Sequence, residues 1–280
     1  PRWLGMPLVR EWGWSSRREA GWLREHVNRG YEITFATEGE FTWEIVGGPR
    51  LRLTGGHVCL TQPDLAHRGA QELMTPGTLF YLVVAPRARG ARRHTPFEPD
   101  QLTQIDRALG CAGNAVARAD PDLAALFEWL RRAFADLDAN RDATLLLPWT
   151  RALVCQILLA TVRSFRAPAP EPSTPPVRRA IRFLEARLAE ELPMPRLAAE
   201  AGLSRSRFYE AFRQETGLTP ADFLQRRRCA RAAQLLRETD QPVTAIALDC
   251  GFRTSQYFAR CFRKYAGLSP SAFRRRSRAP

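Results

Sequence analysis

The sequence predicts an α+β chain in two parts. An antiparallel β-barrel with a helical extension fills the first 166 residues, and an all-α segment with two helix-turn-helix units begins at residue 177. Three observations carry this reading. Apolar residues alternate with period two from Tyr31 to about Val84, and they recur at helical spacing after Asp120. A proline-rich stretch, Ala167 to Pro176, then separates these regions from a segment that repeats itself.

The alternating run is built from Ile33 and Phe35, then Phe41, Trp43 and Ile45, then Leu51 and Leu53, then Val58 and Leu60. Glu38-Gly39, Gly47-Gly48-Pro49 and Gly55-Gly56 read as the turns between short strands, which is the spacing of a small barrel or sandwich. Asp120-Pro121 then reads as a helix start, with Asp as cap and Pro at the first helical position. Leu123, Leu126, Phe127, Leu130, Phe134 and Leu137 follow on one helical face, and a second helix at 144–165 is apolar around most of its circumference. The expected divisions are a barrel over 1–95, a helical linker or dimerisation region over 96–166, a Pro-rich linker over 167–176 and the all-α domain over 177–280.

The charge changes at the same divide. Residues 1–176 carry a net +2 and residues 177–280 a net +11, within a total of +13. A basic second part behind a nearly neutral first part points to a polyanion partner for the second part alone. The six cysteines form no C-x-x-C pair and read as small core residues in a reducing compartment. Pro1 to Arg10 lacks a signal-peptide pattern. The most apolar stretch, Leu145 to Val162, is broken by Pro148, Arg151 and Gln156, and a mid-span Arg costs about 2.5–3.5 kcal/mol on insertion. A soluble cytoplasmic protein with no membrane partner is expected.

The repeat carries the function. Its first copy runs from Leu197 through Gly202, Phe208 and Phe212 to Gly217, Pro220 and Phe223; its second runs from Ile246 through Gly251, Phe258 and Phe262 to Gly267, Pro270 and Phe273. Each copy has a small residue where two helices approach (Ala198, Ala247), a glycine at the turn, and a capping residue after it, Ser204 in one and Thr254 or Ser255 in the other. The phenylalanine pairs at i, i+4 face inward. The outer faces are then Ser206, Tyr209, Glu210 and Arg213 in the first copy, and Gln256, Tyr257, Arg260 and Lys264 in the second. A helix over Pro220–Glu238 would span about 28 Å, near the roughly 34 Å between successive major grooves on one DNA face. Arg226, Arg227, Arg228 and Arg231 on this connector are placed to reach phosphates.

Residues 177–280 resemble the AraC/XylS family DNA-binding domain along almost their whole length. The match rests on Leu197-Ala-x-x-Ala-Gly202, Ser204, the run from Phe212-Arg213 to Gly217-x-Thr-Pro220, Arg228-x-x-Arg231-Ala, Ile246-Ala through Gly251-Phe252, and the run from Tyr257-Phe258 to Ser269-Pro270. The resemblance implies a non-enzymatic regulator acting on double-stranded promoter DNA with RNA polymerase, usually as an activator. By the same resemblance base-edge contacts fall on Ser206, Tyr209, Glu210, Gln256 and Arg260. Arg205, Arg207, Arg213, Thr254, Ser255, Tyr257 and Lys264 complete the expected DNA-contacting set.

Residues 1–166 resemble the cupin-like sensing domain that often precedes this DNA-binding domain, through His26, Tyr31-Glu32-Ile33, Gly39, Gly56 and Pro63-x-x-x-His67. The resemblance implies a small-molecule effector, with Trp22, Arg24, His26, Glu32, Trp43 and His67 as candidate contacts. Cupin enzymes bind a metal on the corresponding strands, and His26, Glu32 and His67 make a two-His, one-carboxylate set. Arg24 stands where such enzymes often have a further His, so no cofactor is assigned from the sequence and a divalent metal is kept as the secondary reading. A homodimer through 120–165 is expected from the wide apolar face. Two alternatives stand beside the effector-responsive regulator. One is a DNA-binding regulator controlled by a protein partner. The other, a cupin-type metal oxygenase with an accessory DNA-binding domain, is weakened by the missing His and by the lack of any other catalytic arrangement.

Overall fold

The computed structural model describes residues 4–70, 73–139, 143–166 and 175–277. The chain forms two compact units, one of residues 1–16, 24–72 and 78–170, the other of residues 17–23, 73–77 and 171–280. Residues 167–174 of the expected linker lie outside the described residues, and Pro175-Pro176 already open a helix.

The first unit is built on an eight-stranded sheet: β1 (Val9–Arg17), β3 (His26–Val27), β4 (Tyr31–Ile45), β5 (Arg50–Thr54), β6 (His57–Thr61), β7 (Ala66–Gly69), β9 (Gly77–Val84) and β10 (Ala115–Arg118), with the path β1-β9-β4-β6-β10 and side pairings β4–β5, β4–β7 and β3–β7. A separate two-stranded ribbon, which belongs to the second unit, joins β2 (Gly21–Trp22) to β8 (Leu73–Met74). The period-two residues Ile33, Phe35, Phe41, Trp43, Ile45, Leu51, Leu53, Val58 and Leu60 are all buried.

One expected turn is absent. β4 runs for 15 residues straight through Glu38-Gly39, so its first half pairs with β6 and its second half with β5 and β7. Gly39 has φ +107°, a local irregularity that lets one strand serve two sets of partners without the chain reversing.

Three helices cover this sheet. α1 (Pro99–Ala112) falls in the region expected to be helical, although the sequence expectations place no individual helix there; Pro99 sits at its first position, and the Gln101 amide oxygen accepts the Glu98 backbone N–H. α2 (Leu123–Asp138) starts later than expected: Asp122 rather than Asp120 holds its N-cap position, without a side-chain capping bond. The Asp120 carboxylate accepts from Arg163 of α3 (Ala143–Arg166) at 2.7 and 3.1 Å and from the Asp122 backbone N–H at 3.1 Å, which together hold its carboxyl below the usual range against its partial burial. α3 matches the expected 144–165 helix, and by length and apolarity alone it is long enough to cross a membrane. Its inner face, Leu153, Val154, Ile157, Leu158 and Ala160, is buried in the same core as the sheet. Phe127 of α2 stacks between Phe35 and Phe80 of that core. Five of the six cysteines are buried, as small core residues would be; Cys111 is exposed on α1.

The helices of the second unit are α4 (Pro175–Ala186), α5 (Met194–Ala201), α6 (Arg205–Thr216), α7 (Pro220–Glu238), α8 (Val243–Asp249), α9 (Ser255–Ala266) and α10 (Pro270–Ser277). They enclose two separate cores. Val177, Leu184, Leu197, Phe208, Phe212, Phe223 and Leu224 form the first; Cys229, Ala232, Leu236, Ile246, Phe258, Phe262 and Phe273 form the second. Among the described residues α7 is the one element that contributes to both, and its bounds are those expected of the connector.

Candidate nucleic-acid interface and effector site

Each repeat folds as a short helix, a glycine turn and a longer helix. In the first copy Gly202 takes φ +69°, and Leu203 and Gly202 donate back to the last carbonyls of α5. Arg179 of α4 donates Nη2 to Ala201 O at 2.9 Å, closing another free carbonyl at that helix end. In the second copy Cys250 ends α8 before Gly251 takes φ +82°, and the stretch between glycine and second helix is one residue longer, Phe252-Arg253-Thr254 against Leu203-Ser204. The two caps differ. Thr254 accepts the Tyr257 N–H at 3.2 Å, whereas Ser204 occupies the cap position of α6 with no side-chain bond.

Phe208, Phe212, Phe258 and Phe262 are fully buried, so the opposite faces of α6 and α9 are outward. Arg205, Ser206, Arg207, Glu210 and Arg213 are exposed, with Tyr209 half-buried beside the Arg205 guanidinium. On α9, Gln256, Tyr257 and Arg260 are exposed, the Arg260 guanidinium lying 5.2 Å from the Tyr257 ring; Thr254 is exposed and Ser255 half-buried. The expected contact residues of each copy thus share one solvent-facing surface of one helix. Lys264 is the outlier. Its ammonium lies 3.2 Å from Asp222 of α7 and against the Tyr265 ring, so it is engaged within the domain.

The connector arginines differ from expectation. Arg228 is buried, with Nε on Leu188 O at 2.8 Å and Nη2 on Glu190 O at 2.6 Å. Arg227 pairs with Glu185 at 3.3 Å and lies over Phe223; Arg226 lies over Tyr265 and faces Asp222. Only Arg231 of the four is exposed. Sequence periodicity did not separate these roles, because a flexible arginine at any helical position can turn inward once carbonyls or aromatic faces are near.

In the first unit His26 of β3 pairs in register with His67 of β7, and Glu32 projects from β4 beside them. One potential ligand atom from each of the three lies within 4.8 Å of the others. The His26 Nδ1 meets Arg24 O at 2.9 Å and the His67 Nδ1 meets Leu65 O at 3.0 Å. A carbonyl can only accept, so both rings carry their proton on Nδ1 and present Nε2 inward. His67 Nε2 is 2.8 Å from Glu32 Oε2, which also accepts from Thr61 Oγ1. Two acceptors at that distance need a cation between them. A proton meets that need, and the His67 pKa shifts in that direction: burial pushes it down, but the hydrogen bond and charge of Glu32 outweigh burial and leave it raised. The same arrangement, with both outer nitrogens tied to backbone and a buried carboxylate between, fits a divalent metal. The other expected effector contacts are not among these three donors. Trp43 is buried edge-on against Phe41 as a core residue; Arg24 is exposed; Trp22 is 45% exposed on β2, with the Arg276 guanidinium 4.2 Å from its ring.

Comparison with known proteins gives two family matches. A family described as an AraC-like ligand binding domain matches residues 16–148, and one described as a helix-turn-helix domain matches residues 197–276. The chain is similar to the HTH-type transcriptional activator RhaS of Escherichia fergusonii, 34% identical over 122 residues, covering 44% of each protein. It is 39% identical over 92 residues to RhaS of Klebsiella pneumoniae, covering 33% of each. These matches therefore span less than half the length of the curated relatives. Among solved structures it resembles the DNA-binding domain of AdpA in complex with a target DNA, at 34% identity over 37% of this chain and 93% of that one, with a TM-score of 0.36.

Proposed function

Since the chain belongs to the AraC family of helix-turn-helix regulators, we propose that it binds promoter DNA sequence-specifically and activates transcription in response to an effector held by its first unit. The observation that supports the DNA-binding part most directly is the pair of outward polar helix faces, on α6 and α9, each fixed by buried phenylalanines and joined by one unbroken helix. Ser206, Tyr209, Glu210, Gln256 and Arg260 are assigned base edges, and Arg205, Arg207, Arg213, Thr254, Ser255 and Tyr257 the sugar-phosphate backbone or its flanks. Lys264 keeps a backbone role only through the exposed part of its side chain. Relatives described as transcriptional activators favour activation over repression. RNA polymerase as a partner, a cytoplasmic location and a homodimer through the α2–α3 region belong to the same reading. Leu145, Trp149 and Leu159 along α3 and Trp129 on α2 supply exposed apolar surface for that dimer.

The test is selection of duplexes from a random pool by the full chain, followed by Arg260→Ala. The variant should weaken binding to the selected duplex by about 1–3 kcal/mol more than to random DNA. Equal losses on both would remove its base-reading role.

The effector site is assigned to the His26–Glu32–His67 cluster, and a divalent transition metal is the effector chemistry its donors favour. Bound there, a cation would replace the proton between His67 and Glu32 and tie β3, β4 and β7 together. Equilibrium dialysis with Zn²⁺, Ni²⁺ or Fe²⁺ should give one ion per chain, lost in Glu32→Gln, with a thermal upshift reversed by chelator. Sub-stoichiometric metal and an unchanged melting curve would leave an organic effector or a protein partner as the signal.

A further inference from the structure

Arg228 is a cation buried to 7% exposure, and among the described residues no carboxylate forms an ion pair with it. Burying a guanidinium this way is costly unless every donor is used well, and an apolar side chain would fill the space more cheaply. Its position accounts for the arrangement. It stands on α7 between Leu224, the last α7 residue of the first core, and Cys229, the first of the second core. Its fork grips the loop that follows α4, through Leu188 O and Glu190 O. On its other side lies the turn of the second reading unit. A Cβ built on Gly251 would come within 2.5 Å of Leu188 O, 3.0 Å of Ala189 O and 3.0 Å of the Arg228 guanidinium carbon, and the Phe252 ring centroid is 5.9 Å from that carbon. Three pieces of chain therefore meet at one point: the loop belonging to the first half, the middle of the connector, and the turn that launches α9 in the second half.

A helix alone sets the distance between two domains it joins but resists twisting and bending only weakly when the cores at its ends are separate. The geometry points to Arg228, admitted by the bare backbone of Gly251, as the positioning residue that fixes the relative angle of the two reading helices. It thereby sets the one half-site spacing the protein accepts, without touching DNA. Arginine is required because its planar fork holds two carbonyls at once, which a lysine ammonium holds less rigidly. The inference rests on the two-headed reading of DNA proposed above.

The test uses the full chain and the duplex it selects from a random pool, remade with one base pair added or removed between the two recognition elements. One base pair moves the second element by about 3.4 Å and turns it by roughly 35°. Wild-type protein should lose about 30-fold or more in affinity on either change. Arg228→Met should bind the original duplex about tenfold more weakly, lose less than about threefold on the respaced duplexes, and bind a duplex with one intact element as wild type does. A merely destabilised domain would weaken on every duplex alike. Arg228→Lys should give an intermediate spacing penalty. Gly251→Ala, which forces the turn off Leu188 O from the other side, should reproduce the Met variant; these two carry the test if Arg228→Met does not fold. Wild-type spacing penalties in every variant that folds would overturn the brace while leaving the DNA reading intact. A selected duplex with a single element would remove the two-headed reading and the brace with it.

Discussion

Asp222 offers the sharpest stability prediction in the second unit. Its carboxylate accepts the Tyr265 hydroxyl at 2.5 Å and the Lys264 ammonium at 3.2 Å, and its other oxygen lies 3.5 Å from Arg226 Nε. These contacts tie the first turn of α7 to the last turn of α9. Asp222→Asn keeps an acceptor for Tyr265 but removes the charge. A hydrogen bond to a charged group contributes about 1.5–3 kcal/mol, a half-exposed ion pair about 0.2–1, and an acid in the first turn of a helix about 0.3–1. With the Asp222 side chain 30% exposed and one acceptor retained, a loss of about 2 kcal/mol at neutral pH follows.

The sign of its pH dependence is fixed. Burial pushes the Asp222 pKa up, but the Tyr265 hydrogen bond and the Arg226 and Lys264 charges outweigh it, and the folded value lies below the ordinary one. The unfolded chain then binds more protons between the folded and unfolded pKa values. The carboxylate's contribution is thus complete above about pH 4–5 and is lost as pH falls through the folded pKa. All seven tryptophans precede residue 150, so tryptophan emission follows mainly the first unit while far-UV circular dichroism follows the helices of both. Asp222→Asn should lower the dichroism-detected urea midpoint, leave the emission-detected one in place, and converge with wild type in acid. An undiminished deficit at pH 3, or none at pH 7, would refute the account.

Two further outcomes follow from the interface. Thr254→Ala should cost about 1 kcal/mol and Ser204→Ala a few tenths at most in urea unfolding, because only Thr254 makes its capping bond; equal costs would contradict the asymmetry. In salt titrations of DNA binding, Arg207→Ala should flatten the slope of log K by about 0.9 and Arg227→Ala should leave it unchanged, since Arg207 faces solvent and Arg227 is committed to Glu185 and Phe223. Matching slopes for both variants would count against that division.

Periodicity made the buried faces legible. The alternating residues of the sheet, the i, i+4 phenylalanines of both repeats and the 19 residues of α7 stand where spacing places them, because burial of an apolar face dominates each of these elements. Local chemistry was less decisive wherever a distant partner competed for the same atoms. Asp120-Pro121 has the form of a helix start, and Asp120 does accept the Asp122 N–H, yet its carboxylate is shared with Arg163, 43 residues on, and the helix begins only at Leu123. Glu38-Gly39 has the form of a turn, yet β4 continues because strands on both sides of it supply partners. The His26–Glu32–His67 cluster was visible as residue types, but not the two carbonyl contacts that fix both ring tautomers, since these come from the neighbouring backbone rather than from any motif.

The arginines show where counting fails. A net charge of +11 in the last 104 residues implies a polyanion, and the outward faces of α6 and α9 agree with it. Within the connector run Arg226-Arg227-Arg228, however, each guanidinium has an internal use: an aromatic face and carboxylate, a cross-helix ion pair, and a pair of backbone carbonyls. Their contribution to DNA binding is therefore geometric rather than electrostatic. Charge brings the duplex to the domain, while the buried guanidinium decides at what angle its two helices meet the grooves. The two effects separate under salt: raising ionic strength weakens every phosphate contact but leaves a brace shielded from solvent intact, so spacing discrimination should persist at salt concentrations where most of the affinity is gone.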